Sequence, residues 1–247
     1  MAGKAMILAA GLGTRLGEMT RDKPKALVKV HGIPLLEIIL GKLQKQGFDD
    51  IVINVHHHAE MIRNYLDEHP AEGIKIALSE EKERPLETGG GIRHARELLL
   101  DVPVFLIHNV DILSDMDLRE LVKEHIDSGA LATLAVSCRK TARYLLADET
   151  GHLCGWENIA TGEKIMTKEP EGQITQWGYS GVAVLSREVL FLLPEQDVFS
   201  LTHFFLQLAS TRLVRISVLS MSYWYDVGKP LIIEAVQQNI SKQKLLG

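Results

Sequence analysis

The residues best suited to chemistry stand close to the start of the chain. Ala9-Ala10-Gly11-Leu12-Gly13-Thr14-Arg15-Leu16 follows a short apolar run, and Lys23-Pro24-Lys25 comes soon after. A glycine-rich turn at a strand end exposes backbone N–H groups that can cradle phosphate oxygens. Arg15 and Lys25 add fixed positive charge, so the segment suits a triphosphate whose phosphorus is attacked. Two better-known glycine loops do not fit. The dinucleotide fingerprint needs a glycine where Leu16 stands, and the P-loop needs Gly-Lys-Ser or Gly-Lys-Thr. By itself Gly-x-Gly is a tight turn, but the added Thr-Arg and Lys-Pro-Lys point to anion binding.

Two aspartates supply the complementary chemistry. Asp111 ends the apolar run Val104-Phe105-Leu106-Ile107, where a carboxylate can coordinate magnesium, a hard ion that takes carboxylate, phosphate and water oxygens. The competing role, capping the next helix, falls better to Ser114 or Asp115. Asp226 lies in Trp224-Tyr225-Asp226-Val227-Gly228-Lys229 and is either a second ligand or a turn residue. Leu86-Glu87-Thr88-Gly89-Gly90-Gly91-Ile92 is the third signal, because three glycines are costly to order and imply a close backbone approach. Other conspicuous residues read more plainly. His56-His57-His58 is expected on a surface loop, since adjacent side chains point apart. Glu80-Glu81-Lys82-Glu83-Arg84 reads as a solvated, mobile stretch. Trp156, Trp177 and Tyr179 suit either sugar stacking or the core.

The elements that must position these residues alternate. Strand patterns fall at 4–10, 50–55, 74–79 and 102–108, and helical patterns at 34–46, 60–68, 90–100 and 116–128. Such alternation predicts an α/β fold, a Rossmann-like, mixed and mostly parallel sheet with helices on both faces. A strand is expected at 131–137, a hairpin joining 144–147 to 153–157, and a strand at 179–185. Helices at 187–193 and 200–209, a strand at 212–219 and a helix at 230–240 follow, with 241–247 a frayed tail. Ligands bind outside the carboxyl ends of parallel strands. The Gly11 loop, His108-Asn109-Val110-Asp111 and Tyr225-Asp226 are therefore expected on one rim.

With 247 residues, 46% hydrophobic and 24% charged, the chain can bury a sizeable core. Its net charge of −5 argues against nucleic acid as a partner. Between Lys4 and Lys29, however, six basic residues face two acidic ones, a local excess suited to a small anion. Two cysteines, Cys138 and Cys154, form no metal spacing or disulfide framework, so a reducing cytoplasm is expected. No signal peptide and no apolar run near 18 residues is evident, so no membrane association is expected.

Taken together, the motifs resemble those of the sugar-1-phosphate nucleotidyltransferases. Their signature is Gly-x-Gly-Thr-Arg followed about ten residues later by Pro-Lys, and the resemblance extends from Ala5 to Ile240. It implies the nucleotide-diphospho-sugar transferase type of fold, one domain over 1–247 with 143–185 as a sugar-side subregion, and no appended repeat domain. It implies a nucleoside triphosphate and a sugar 1-phosphate as substrates, with neither nucleic acid nor membrane as partner and with a homodimer admissible. Asp111 and Asp226 would hold catalytic Mg2+, and Arg15 and Lys25 would be catalytic. Ala10, Gly11, Gly13, Thr14, Thr88, Gly89 and Asn109 would bind the nucleotide. Tyr179 and Lys168 would bind the sugar phosphate, although Lys168-Glu169-Pro170 transposes the family's Glu-Lys-Pro. Val110 and Lys229 depart from the family's Asn-Gly-Asp and Asp-x-Gly-Thr. Leu86–Ile92 is close in wording to the N-acetylmuramate-1-phosphate uridylyltransferases of cell-wall recycling. Mannose- and heptose-1-phosphate guanylyltransferases are the next nearest. A catalytically silent nucleotide-sugar sensor and a metal-dependent glycosyltransferase are the alternatives of other kinds, the latter lacking its Asp-x-Asp here.

Overall fold

A computed structural model describes residues 3–246. Its centre is a ten-stranded mixed sheet. The parallel part comprises β1 (Gly3–Leu8), β4 (Phe48–Val55), β5 (Lys75–Glu80) and β6 (Val104–Asn109), in the order β6-β1-β4-β5. β12 (Thr175–Ser186) runs antiparallel to β6 and also pairs with β8 (Ala132–Ser137), beside which lies β13 (Val214–Val218). The other end of β12 pairs with β9 (Arg143–Ala147). β9, β10 (Leu153–Asn158) and β11 (Glu163–Met166) then form an antiparallel extension. Two ribbons complete the strands: β2 (Lys29–Val30) with β3 (Ile33–Pro34), and β7 (Ile112–Ser114) with β14 (Trp224–Asp226).

Successive side chains of a strand point to opposite faces, and in β1 both faces are apolar. Ala5 and Ile7 join one core, which is covered by α1 (Leu35–Lys45), α2 (Ala59–Glu68), α4 (Leu118–Ser128) and α6 (Pro230–Asn239). Met6 and Leu8 join the other, covered by α3 (Glu87–His94) and α5 (Leu201–Ala209). This two-sided burial bears out the expected α/β fold with helices on both faces.

The structure corrects several local readings. α3 begins three residues before the expected 90, so the glycines lie inside it, and 96–98 is a single 3-10 turn. The segment after β12 is likewise a 3-10 turn, Arg187–Phe191. The tail is not frayed, since α7 (Lys242–Leu246) buries Leu245 against the first core; Gly247 lies outside the described residues. Neither Ser114 nor Asp115 caps α4. Asp117 does so, accepting from the N–H groups of Arg119 (2.9 Å) and Glu120 (3.1 Å). Asp115 instead accepts from the N–H of Ser222 at 2.9 Å. Among the described residues no helix is long and apolar enough to cross a membrane.

Candidate active site

The Gly11 loop leaves the carboxyl end of β1 as irregular chain and enters a 3-10 segment at Thr14. Gly13 takes φ +66°, and a Cβ there would stand 2.9 Å from Thr20 Cγ2, so this position needs glycine twice over. Among the described residues the N–H groups of Gly11, Leu12 and Gly13 donate to no protein acceptor. The Ala10 N–H is partly engaged, 3.4 Å from Asn54 Oδ1. Thr14 and Arg15 are exposed at the rim.

Asp111 follows β6, and the β7–β14 ribbon brings Asp226 to it: Asp226 pairs with Ile112, and the Val227 N–H donates to the Asp111 carbonyl at 2.9 Å. The expected convergence is therefore present. Lys25, only 8% exposed, forms an ion pair with Asp111 Oδ2, and Arg15 lies 3.8 Å from Asp226 Oδ2. Gly228 keeps this junction open, because a Cβ there would approach Arg15 Nη2 at 2.6 Å. Burial and then the Asp111 charge push the Asp226 carboxyl above its ordinary value, against Lys25 and Arg15. Two carboxylates that repel each other are what a dication would relieve. No third His, Cys, Asp or Glu completes a metal cage among the described residues. That donor set fits magnesium, which keeps water and phosphate oxygens in its shell. Val110 replaces a family glycine without a positive φ and packs into the core.

Two cavities open on either side of this junction. The first, about 220 Å³, is lined by Ala10, Gly11, Lys25, Thr88, Asn109 and Asp111, together with Asn54, Glu81 and Glu87. Its wall is braced by a buried network that the sequence reading missed. Asn54 Oδ1 accepts from the Ala9 N–H at 2.8 Å, while Asn54 Nδ2 donates to Glu81 Oε1 at 2.7 Å. Glu81 Oε2 accepts from the Leu86 N–H at 2.8 Å. Glu81, expected in a solvated stretch, is 2% exposed. A polar Asn54 inside the apolar strand Ile51–Val55 was the available signal; nothing in the local sequence marked Glu81.

The glycine triplet serves this packing. A Cβ on Gly89 would strike the Phe199 ring, one on Gly90 the Asp197 carbonyl, and one on Gly91 the Asn54 amide. The Gly89 N–H donates to the Phe199 carbonyl at 3.0 Å. Thr88 lines the cavity, and its Oγ1 accepts from the Leu201 N–H at 3.0 Å. The close approach implied by the glycines is therefore to the chain itself. Glu87 holds φ +59°, a conformation that side chains other than glycine adopt at a cost.

The second cavity, about 740 Å³, is lined by Arg15, Asp226, Tyr179, Trp156, Arg143 and Lys229, and by Arg139, which the sequence reading passed over. Tyr179 is thus on the cleft, and burial raises its hydroxyl pKa. Lys168 is not: it sits at the turn end of the β9–β10 hairpin, with Nζ 3.4 Å from His152 Nδ1. The transposed motif therefore puts no cation into the cleft. Lys4, counted in the basic cluster, lies at the opposite end of β1, paired with Asp50 (3.2 Å) and Asp101 (2.5 Å). His56–His58 is a turn after β4 and holds no metal cluster among the described residues.

A sheet with a glycine loop, two aspartates and paired cations at its strand ends is the frame of a nucleotidyl transferase, and the chain belongs to the nucleotidyl transferase family, whose model matches residues 4–145. It is 34% identical to N-acetylmuramate alpha-1-phosphate uridylyltransferase of Caulobacter vibrioides, over 92% of each chain. It is 28% identical to D-glycero-alpha-D-manno-heptose 1-phosphate guanylyltransferase of Aneurinibacillus thermoaerophilus, over 92% of this chain and 94% of that one. The crystal structure of HddC from Yersinia pseudotuberculosis complexed with GMP-PN shares the fold at a TM-score of 0.76. That match has 24% identity and covers 97% of this chain and all of the other.

Proposed function

We propose that this chain transfers the uridylyl group of UTP to N-acetylmuramic acid 1-phosphate, releasing pyrophosphate. The observation that carries the reaction is the junction of Arg15, Lys25, Asp111 and Asp226 between two cavities. The choice of base and sugar rests on the similarity to the Caulobacter uridylyltransferase along nearly the whole of both chains. The smaller cavity takes the nucleoside, with Thr88 and Asn109 in its lining and Gly89, whose N–H donates to Phe199, only shaping the turn behind Thr88, and residues 143–185 form the sugar side of one catalytic unit.

The acceptor phosphate has a second pKa near ~6 and is already largely dianionic, so attack on the α-phosphorus needs no general base. The new bond forms from the sugar-phosphate oxygen as the bond to the pyrophosphate oxygen breaks. What the protein contributes is position and countercharge. The N–H groups of Gly11, Leu12 and Gly13, with the Thr14 segment, cradle the triphosphate, and Arg15 meets the departing pyrophosphate. Lys25, held at Asp111 by the short turn after Pro24, neutralises charge between the acceptor and the α-phosphate. Asp111 and Asp226 would hold magnesium, which when bound supplies Lewis-acid neutralisation of the phosphate oxygens. The unpaired thiols Cys138 and Cys154 suit a reducing cytoplasm, where this product would serve cell-wall recycling.

A pyrophosphate-release screen crossing four triphosphates with a panel of sugar 1-phosphates tests the reading. The expected best pair is UTP with N-acetylmuramic acid 1-phosphate. Preference for GTP with mannose or heptose 1-phosphate would replace it with the guanylyl reading, and no release from any pair would leave a sensor.

A further inference from the structure

The sugar-side cavity carries more positive charge than it balances. Asp226 is the one acidic residue in its lining, and Arg15 is committed to it. Arg139, Arg143 and Lys229 line the same space and make no ion pair among the described residues.

These three cations are not equivalent. Arg143 and Lys229 are exposed side chains, free to reorient and screened by salt. Arg139 is fixed in place. Its guanidinium lies over the Trp224 ring, 4.2 Å from the centroid, and its Nη2 donates to the Tyr179 carbonyl at 2.8 Å. Gly178 makes room for it, since a Cβ there would stand 2.7 Å from Arg139 Cγ. Its Nε is sealed from solvent without a partner. With one edge bonded and Nε sealed, Nη1 is the donor left for a ligand. Burial works against the Arg139 charge, and Asp226, foremost in supporting it, forms no ion pair with it; an anion filling the site offsets that cost. A guanidinium held on an aromatic face presents its remaining donor in a fixed direction, which a mobile lysine does not.

We infer that Arg139 is the receptor for a second anionic group on the sugar, the carboxylate of an acid ether-linked to the ring, and so selects among sugar 1-phosphates. This rests on the reading that the acceptor is N-acetylmuramic acid 1-phosphate, whose lactyl carboxylate is absent from N-acetylglucosamine 1-phosphate.

The test compares kcat/KM for these two sugars with UTP in the wild type, Arg139→Met and Arg139→Lys. Met keeps an apolar stem over Trp224, while Lys keeps charge but loses the directed guanidinium donor. The wild type should prefer the acidic sugar. Arg139→Met should cut that preference by ~10²-fold, and Arg139→Lys by about tenfold, through the KM of the acidic sugar and not that of UTP. Equal losses for both sugars would overturn the inference, because they would make Arg139 a holder of the shared phosphate. So would an unchanged preference in either variant. Should the Met variant melt far below the wild type, the Lys variant decides alone. A wild type that favours the neutral sugar refutes the substrate reading itself, and the inference falls with it. That outcome is visible before any variant is made.

Discussion

The two cavities that the proposed function gives to nucleotide and sugar are built by different means. The first sits at the carboxyl ends of parallel strands β1 and β6, is small, and is braced from behind by the buried Asn54–Glu81 pair. The second is several times larger and is lined mostly from the antiparallel part, where two residues of β9 and one each of β10 and β12 meet Arg139 and Lys229. The first is held by a buried polar network behind its wall, whereas the second presents cations with few partners. The first cavity is therefore braced as a unit, while the second combines one fixed cation, Arg139, with the exposed Arg143 and Lys229. The junction between them is the pair of aspartates.

The sharpest way to break this division is at the junction. Asp111→Asn removes the charge proposed to hold metal, so turnover should fall by ~10²-fold or more in a variant that still folds, with any loss of stability traced to the unpaired Lys25. A folded variant with near-wild-type turnover at saturating magnesium would take the junction out of the chemistry.

Acid should act next, through two buried histidines. His108, under the nucleotide side, is held down to about 3 by burial and then by Lys42, while His125 is held down to about 4 by burial. Both are neutral in the fold and titrate near 6.5 when unfolded. The unfolded chain thus binds more protons below that value, and stability present above about pH 6.5 is lost as the pH falls, by at most about 1.4 kcal/mol per pH unit for each histidine. Urea midpoints between pH 7 and pH 4.5 should show this slope, and His108→Gln should flatten it. A slope indifferent to that change would mean that another group carries the acid loss.

The brace itself comes third. Asn54→Ala strips the Ala9 N–H of its acceptor and leaves Glu81 half-satisfied, at a cost of about 1–3 kcal/mol. It should raise the KM for UTP while sparing that for the sugar. If the KM of the sugar rises instead, the two walls are not separate. The smallest effect is expected at Glu87. Glu87→Gly relieves a left-handed φ and should stabilise the fold by about 1 kcal/mol or less. A lower denaturation midpoint would show that its side chain contributes more than the strain costs.

The sequence by itself determined the α/β architecture and the short segments from which the candidate site is assembled, because each of these depends on residues close together in the chain. Apolar runs buried on both faces can only be inner strands, and Gly11-Leu12-Gly13-Thr14-Arg15, Asn109-Val110-Asp111 and Trp224-Tyr225-Asp226 are short segments whose chemistry is local. What the tertiary structure decided depends on pairs far apart. Glu81 reads as one charge in a charged run until Asn54 is placed 2.7 Å away. The glycine triplet announces a close approach but not its partners, which prove to be the 197–199 segment for Gly89 and Gly90 and Asn54 for Gly91, rather than open cleft. Lys168 and Arg139 each follow a strand and look alike as exposed cations. Only the path of the β9–β10 hairpin sends one away from the cleft, and only Trp224, 85 positions further along the chain, holds the other in it. Local chemistry is encoded by residue type and spacing. Which charges share a cavity depends on strand order and register, which pattern alone does not fix.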